Sequence, residues 1–182
     1  MKTNVRKLIT MAMLAALSIV LMLIIRLPIF PVVPWLVYEP ADVPILIGAF
    51  MFGPISGFVI LLVVAFLQAF MLSADGLVGL VMHLFASGAL VLVAGIIYKI
   101  KSNRITAALG LLSGCIAMTA IMIPLNLYMD VKFYGMPLNT VQGLMPYIIA
   151  FNIIKSSVNA VIVFVVYQLI QILIRKYHFG NQ

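Results

Sequence analysis

Long apolar runs, separated by short polar or proline-containing segments, dominate this sequence. A helix needs about 20 consecutive apolar residues to cross the hydrocarbon core of a bilayer. Five runs approach or exceed that length, and a shorter one after the first is too short to cross alone. The sequence therefore predicts a single domain over residues 1–182, an all-α integral membrane bundle of six transmembrane helices. The runs cover residues 8–27, 42–52, 55–72, 77–98, 105–128 and 145–174.

The segments between these runs carry residues that interrupt helices. Residues 28–40 contain several prolines together with Trp35 and Tyr38, so we expect an ordered loop with an aromatic anchor at the membrane interface. The other predicted breaks are tight turns at Gly53-Pro54 and Asp75-Gly76, a basic loop at 99–104 and a polar loop at 129–145.

Composition indicates a membrane protein. Of the 182 residues 65% are hydrophobic and 8% are charged, whereas a soluble domain carries about 25% charged residues. No GxxxxGK[ST] phosphate loop occurs, so active transport would draw its energy from an ion gradient or a separate subunit. The first run follows basic residues as in a signal peptide, but its length and the lack of a small-residue cleavage site predict a retained membrane helix.

Charge is distributed unevenly between the two predicted sides of the bundle. With six spans, one side carries Lys2, Arg6, Lys7, Lys99, Lys101, Arg104, Arg175 and Lys176 and no acidic residue. The other side carries Arg26, Lys132 and all four acidic residues, Glu39, Asp42, Asp75 and Asp130, near the outer surface. The positive-inside rule therefore places both termini in the cytoplasm. Because the basic residues flank apolar segments and form no continuous patch, the net charge of +7 does not indicate nucleic-acid binding.

A polar stripe interrupts the last apolar run. Helical spacing places Asn152, Lys155, Ser156 and Asn159 on one face. A lipid-facing ammonium at that depth would cost several kcal/mol, so the stripe should face a protein interior or a wet cavity. Asn and Lys side chains there could hold a planar heterocycle or an anion, whereas the alternative is hydrogen bonding between helices.

Three residues of the first loop, Leu36, Tyr38 and Glu39, are predicted to form the mouth of the same pocket. Asp42 follows them at the expected start of the second helix, where its side chain is expected to cap that helix. The sequence thus assigns the loop to the site and Asp42 to local structure.

The other membrane helices carry isolated polar residues. Pro124 should loosen the fifth helix so that Asn126 reaches the outer cavity. Gln68 and His83 stand alone in the third and fourth helices, where each by itself is more typical of a satisfied core residue than of a ligand contact. His83 has no second ligand at metal spacing, so no metal site is predicted. No HExxH, GxSxG or triad pattern occurs, which argues against an enzyme.

The first helix carries a pair of small residues, Ala12 and Ala16, one turn apart. Such a pair lets another helix approach closely, and it is common in packed bundles. The charge-free surface around it is suited to docking a partner membrane subunit.

Several blocks of the chain, in order, resemble the substrate-binding S components of energy-coupling factor vitamin transporters, and within them the riboflavin-specific group. The two specific patterns are DVP-x-LI followed by FGP-x-x-G, which begin at Asp42 and Phe52, and FN-x-x-K, which begins at Phe151. Supporting blocks are Arg6-Lys7-Leu8 with the Ala pair, Trp35-Leu36-Val37-Tyr38-Glu39, Pro124-Leu125-Asn126 and Tyr134-Gly135-Met136-Pro137.

The resemblance implies six helices, a vitamin pocket that opens outward, a lid formed by the first loop, and toppling in the membrane during transport. It implies a transmembrane coupling subunit and two ATPase subunits as partners, in the plasma membrane of a prokaryote, with riboflavin as cargo and no resident cofactor. Ligand contact carries over to Leu36, Glu39, Asn126, Asn152 and Lys155, and coupling-subunit contact to Ala12 and Ala16. Tyr38, Gln68, His83 and Asn159 complete the set of candidate ligand residues.

Two departures from the riboflavin group leave the ligand open. Gln68-Ala69 stands where that group often has Lys-Asn, and His83-Leu84 where it often has Asn-Phe. Pocket polarity sets which heterocycle binds, so another vitamin or flavin stays an alternative. An ion-coupled carrier acting alone would need a membrane-embedded carboxylate. A purely structural membrane subunit, in which the polar stripe only pairs helices, would have a dry interior.

Overall fold

The described residues form six helices and one two-stranded hairpin. The structure is a computed structural model that describes the backbone of residues 2–71 and 76–179 and the side chains of residues 5–70 and 76–169. Asp75, and the side chains of Lys2, Arg175 and Lys176, lie outside the described residues. The elements are α1 Lys2–Ile24, β1 Leu27–Pro28, β2 Val37–Tyr38, α2 Asp42–Phe52, α3 Pro54–Met71, α4 Gly76–Ile100, α5 Arg104–Lys132 and α6 Leu138–Phe179.

The polar loop predicted at 129–145 is wrong in extent. Helix α5 continues to Lys132, and α6 already begins at Leu138, so five residues connect them. The apolar pattern marks where a helix leaves the hydrocarbon region, whereas backbone hydrogen bonding continues into polar sequence. Gly135 provides the connection with a φ of 66°, a region that L side chains rarely adopt.

The proline-rich loop after α1 contains a small hairpin, a feature that the sequence did not predict. Strands β1 and β2 are antiparallel, with Leu27 opposite Tyr38 and Pro28 opposite Val37. Residues 25–41, here called the lid segment, leave α1 and return to the start of α2. Because successive side chains of a strand point to opposite sides, Tyr38 and the adjacent Glu39 reach different helices.

Helices α2 and α3 form a closely packed pair around the predicted Gly53-Pro54 break. Gly53 ends α2 with a φ of 94°, which favours glycine. A Cβ added at Gly57, in the first turn of α3, would lie 2.5 Å from the Cβ of Ala49. A larger residue at Gly57 would therefore separate the two helices.

The hydrophobic core lies among α2, α3, α4 and α5, with Ile45, Leu61, Leu90 and Val91 fully buried. The ammonium of Lys7 lies 5.8 Å from the centre of the Phe52 ring, so the start of α1 meets the end of α2. The lid segment therefore lies at the opposite end of the bundle, and the candidate site is found there.

Four helices are long and apolar enough to cross a membrane: Val5–Ile24, Gly76–Ile100, Arg104–Lys132 and Leu138–Leu169 within the described residues. The apolar helices Asp42–Phe52 and Pro54–Phe70 are shorter. The chain is therefore a multi-pass membrane protein, while the count of six crossings stays a prediction.

Candidate functional site

A cavity of about 160 Å³ lies between the lid segment and helices α3, α4, α5 and α6. Most of the candidate ligand residues line it: Leu36, Glu39, Gln68, His83, Asn126, Asn152 and Lys155. Residues distant in sequence, and selected on different grounds, thus meet in one place.

Glu39 links the two ends of the lid segment to each other and to α3. Its Oε1 atom lies 2.9 Å from Nε of Arg26, and its Oε2 atom accepts a hydrogen bond from Nε2 of Gln68 at 3.0 Å. Gln68 in turn contacts Nδ1 of His83 on α4 through its Oε1 atom. Gln68 and His83 therefore form a pair, although each stands alone among apolar residues in the sequence.

Asp42 does not cap α2, contrary to the sequence-based expectation. No side-chain cap hydrogen bond is present at Ala41, and Asp42 is the first helical residue with its side chain 1% exposed. Its Oδ2 atom accepts a hydrogen bond from Nδ2 of Asn159 at 3.2 Å, and its Oδ1 atom lies 3.5 Å from Nε2 of His83. The carboxylate therefore joins α2 to α4 and α6.

Tyr38 and Asn159 do not line the cavity. The Tyr38 hydroxyl donates a hydrogen bond to Oδ1 of Asn159 at 3.0 Å, and both side chains are buried. Burial, and secondarily the negative charge of Asp42, raise the pKa of Tyr38, so its hydroxyl stays protonated and donates. In this structure the two residues attach the lid segment to α6.

The polar stripe of α6 divides into two parts. Asn152 and Lys155 face the cavity, and the Lys155 ammonium lies 6.0 Å from the centre of the Phe151 ring. Ser156 donates a hydrogen bond to the carbonyl of Asn152 at 2.7 Å and does not line the cavity. Helical spacing predicted that the four polar residues of the stripe share one face of α6. Of these, only Asn152 and Lys155 line the cavity.

Helix α5 contributes a stripe at intervals of four residues, Met118, Met122, Asn126 and Asp130, all of which line the cavity. Asn126 donates a hydrogen bond from Nδ2 to the carbonyl of Met122 at 2.7 Å. Pro124 is exposed on the other side of a helix that continues through it. The cavity is thus apolar along one part of α5 and polar along the other.

Comparison with known proteins gives the family. The profile for ECF transporter, substrate-specific component, matches residues 6–167. This chain belongs to that family of S components. It is 31% identical over 174 residues to the riboflavin transporter RibU of Staphylococcus aureus (strain TCH60), covering 90% of this chain and 89% of the relative.

A second relative and a solved structure support this assignment. The riboflavin transporter FmnP of Bacillus subtilis (strain 168) is 30% identical over 174 residues, covering 87% of this chain and 88% of the relative. A structure described as the S component of a bacterial ECF transporter has a TM-score of 0.82 and 32% identity, covering 94% of this chain and 98% of that one. The six-helix arrangement is therefore the S-component fold.

The S component has further cavity residues that the sequence analysis did not select as ligand contacts. Arg26 and Trp35 belong to the lid segment, Ser87 follows His83 by one helical turn, and Asp130 follows Asn126 by one turn. The sequence could have indicated Asp130 as a cavity residue, because it lies four residues after Asn126 and residues four apart share a helix face. Arg26 and Trp35 depend on how the lid segment folds back, which the pattern of apolar runs does not encode.

Three of the acidic residues are buried inside the bundle. Glu39, Asp42 and Asp130 have exposures of 4%, 1% and 2%, while their predicted place on the outer side of the membrane stays a prediction. No group of three or more His, Cys, Asp or Glu side chains that could hold a metal occurs among the described residues.

Ala12 and Ala16 lie on the exposed side of α1, away from the cavity. Large apolar neighbours on this side are also exposed, among them Leu8 and Met13. Over its apolar window α1 is 17% buried, against 39% for α4 and α6. Most of α1 therefore faces lipid or another membrane protein.

Proposed function

We propose that this S component binds riboflavin in the cavity and serves as the substrate-specificity subunit of an ECF-type importer, without catalysing a reaction. It lies in the plasma membrane of a prokaryote as a single domain of six crossings, and both termini are cytoplasmic. Riboflavin is cargo, and no resident cofactor is involved.

The observation that carries this proposal is the division of the cavity into an apolar and a polar part. Met118, Met122 and Phe151 provide apolar surface, whereas Asn126, Asn152 and Lys155 provide amide and ammonium groups. Small-molecule sites are mostly apolar with a few placed polar groups. A flavin has matching parts, a planar tricyclic ring with a polar edge and a polyhydroxylated chain.

The purely structural alternative explains this arrangement less well. A helix-pairing role would leave polar side chains satisfied within a dry interior, but Asn152 and Lys155 face a cavity. The ion-coupled alternative needs a carboxylate that exchanges an ion. Asp42 is hydrogen-bonded to Asn159, whereas Asp130 has no ion-pair partner among the described residues, so it is the family membership that argues against this alternative. Gln68 and His83 differ from the residues often found in the riboflavin group and both line the cavity, so another vitamin or flavin is the alternative cargo.

The experiment is a fluorescence titration of riboflavin into detergent-purified protein. Riboflavin emission should be quenched stoichiometrically, because binding places the ring among packed side chains. Thiamine, biotin and folate titrated in parallel, with thermal shift as the readout, serve as controls. No quenching by folded protein, together with stabilisation by one of these other vitamins, would reassign the cargo and retain the S-component assignment.

The proposed partners are a transmembrane coupling subunit and two ATPase subunits, as the family description implies. The exposed small pair on α1 is the proposed contact for the coupling subunit. Ala12→Leu with Ala16→Leu should abolish uptake in cells that contain the other subunits and leave riboflavin affinity unchanged. Ala108→Leu, at an exposed position of α5, is the matched control and should leave both unchanged.

A further inference from the structure

Two buried oxygen atoms on α5 have no hydrogen-bond partner although they belong to cavity-lining residues. They are Oδ1 of Asn126 and Oδ2 of Asp130, and neither accepts a hydrogen bond from any residue that the structure describes. The two residues are 1% and 2% exposed. Burying such an acceptor without a partner costs about 1–3 kcal/mol, and more for a charged group.

Helix geometry places the two acceptors side by side. Residues four apart on a helix have Cβ atoms about 5–6 Å apart on the same face. Nδ2 of Asn126 donates one N–H to the carbonyl of Met122 and keeps a second N–H. Oδ2 of Asp130 accepts from neither of them, and an ionised carboxylate has no donor of its own. The pair therefore presents two unpartnered acceptor oxygens.

No residue that the structure describes pairs with Oδ2 of Asp130. The connection from α5 to α6 uses its backbone, since the amide of Met136 donates to the carbonyl of Asp130 at 3.0 Å. No Lys, Arg or His nitrogen lies within ion-pair distance of its carboxylate in the described part of the chain. The buried Asp42 differs in that its Oδ2 atom accepts a hydrogen bond from Asn159, while its Oδ1 atom makes no hydrogen bond among the described residues and lies 3.5 Å from Nε2 of His83.

We propose that Oδ2 of Asp130, beside Oδ1 of Asn126, forms a subsite that binds an N–H or O–H donor of the ligand, and that Asp130 is a specificity-determining residue. This inference rests on the proposed riboflavin function. Riboflavin offers both kinds of donor, the imide N–H of the ring and the hydroxyls of the ribityl chain. A ligand with only acceptors at this edge would leave both oxygens unpaired and would be rejected.

The test compares riboflavin with lumiflavin, which keeps the ring imide and replaces the ribityl chain by a methyl group. Asp130→Asn retains the size of the side chain and removes the charged acceptor. Riboflavin affinity should fall about 10- to 100-fold, since hydrogen bonds to charged groups contribute about 1.5–3 kcal/mol. An equal fall for lumiflavin identifies the ring N–H as the donor, whereas a fall for riboflavin alone identifies a hydroxyl.

Lys132→Gln is the matched control, because it changes one exposed charge near the same end of α5 and should leave both affinities unchanged. Unchanged affinity of Asp130→Asn for both flavins, or an equal fall in Lys132→Gln, would overturn the subsite and leave the riboflavin assignment in place. Failure of the unmodified protein to bind riboflavin or lumiflavin would overturn both the subsite and the riboflavin assignment. If Asp130→Asn does not fold, Asp130→Ser tests the same loss of charge.

Discussion

The polar groups around the cavity are of two kinds, and the difference lies in their partners. On the lid side, Glu39 contacts Arg26 and Gln68, and Tyr38 contacts Asn159. On the wall formed by α5 and α6, the residues are Asn126, Asp130 and Lys155. Two oxygen atoms of that wall are unpartnered, and no carboxylate lies within ion-pair distance of Lys155 among the described residues.

This contrast separates residues that hold the site together from residues that receive the ligand. A satisfied buried network fixes one arrangement of the elements that it joins, whereas an unsatisfied group recovers its cost only when a ligand binds. Removing a lid-side residue should therefore change the stability of the closed cavity. Removing a wall residue should change affinity with little effect on folding.

The largest expected effect is on the stability of the lid attachment, through Asn159→Leu. The substitution leaves the Tyr38 hydroxyl and Oδ2 of Asp42 buried without their partner. At about 1–3 kcal/mol for each of the two groups, the free energy of unfolding should fall by about 2–6 kcal/mol. Thermal unfolding of the ligand-free protein in detergent measures this.

Asn139→Leu is the control for that substitution, because it makes the same change at an exposed position of α6. It should leave the unfolding temperature nearly unchanged. If Asn159→Leu unfolds like the unmodified protein but loses riboflavin affinity, Asn159 belongs with the wall, and the division between the two regions fails.

The next effect is on affinity, through Lys155→Met. Methionine keeps an unbranched apolar side chain in the cavity and removes the ammonium, so riboflavin affinity should fall about 10- to 100-fold. The unfolding temperature should stay the same or rise, because a charge with no close counter-ion is removed from a half-buried position. Equilibrium titration and thermal unfolding of the same preparation measure both.

Lys99→Met, at the other end of the bundle, is the matched control and should leave affinity unchanged. Tight riboflavin binding retained by Lys155→Met would remove Lys155 from the ligand wall and with it the strongest polar group of the proposed site.

The fold follows from the sequence wherever hydrophobicity and helix breakers coincide. Gly53-Pro54 ends one helix and begins the next, as predicted, because glycine permits the φ of 94° and proline suits a helix start. The connection between α5 and α6 was predicted too long, because polar residues such as Asn139 continue a helix outside the apolar region. The hairpin of the lid segment depends on pairing that local pattern does not specify.

The candidate site was predictable in its residue types but not in their partners. Asn126, Asn152 and Asn159 look equivalent in the sequence, yet the first two line the cavity and the third attaches the lid segment. Asp42 was expected to cap a helix because it stands at the predicted start of the second helix, and its actual neighbours on α4 and α6 are distant in sequence. Which polar group is satisfied is a property of the assembled bundle, and only the structure provides it.

The smallest expected effect concerns Glu39, which the resemblance treats as a ligand contact and the structure as a link within the lid side. Arg26, its ionic partner, is 48% exposed in its side chain, so solvent screens the pair and it should contribute no more than about 1 kcal/mol. Glu39→Gln retains an oxygen that can accept from Gln68. Riboflavin affinity should therefore fall by less than about 5-fold, mainly through faster dissociation.

A double-mutant cycle with Arg26→Gln separates the two assignments of Glu39. If the residue acts through Arg26, the second substitution adds little to the first, and the difference from the unmodified protein shrinks as salt is raised. A fall of 100-fold in Glu39→Gln that is insensitive to both salt and Arg26 would instead make Glu39 a direct ligand contact. The ligand would then be held from the lid side as well as from the wall, because one lid-side residue would bind it directly.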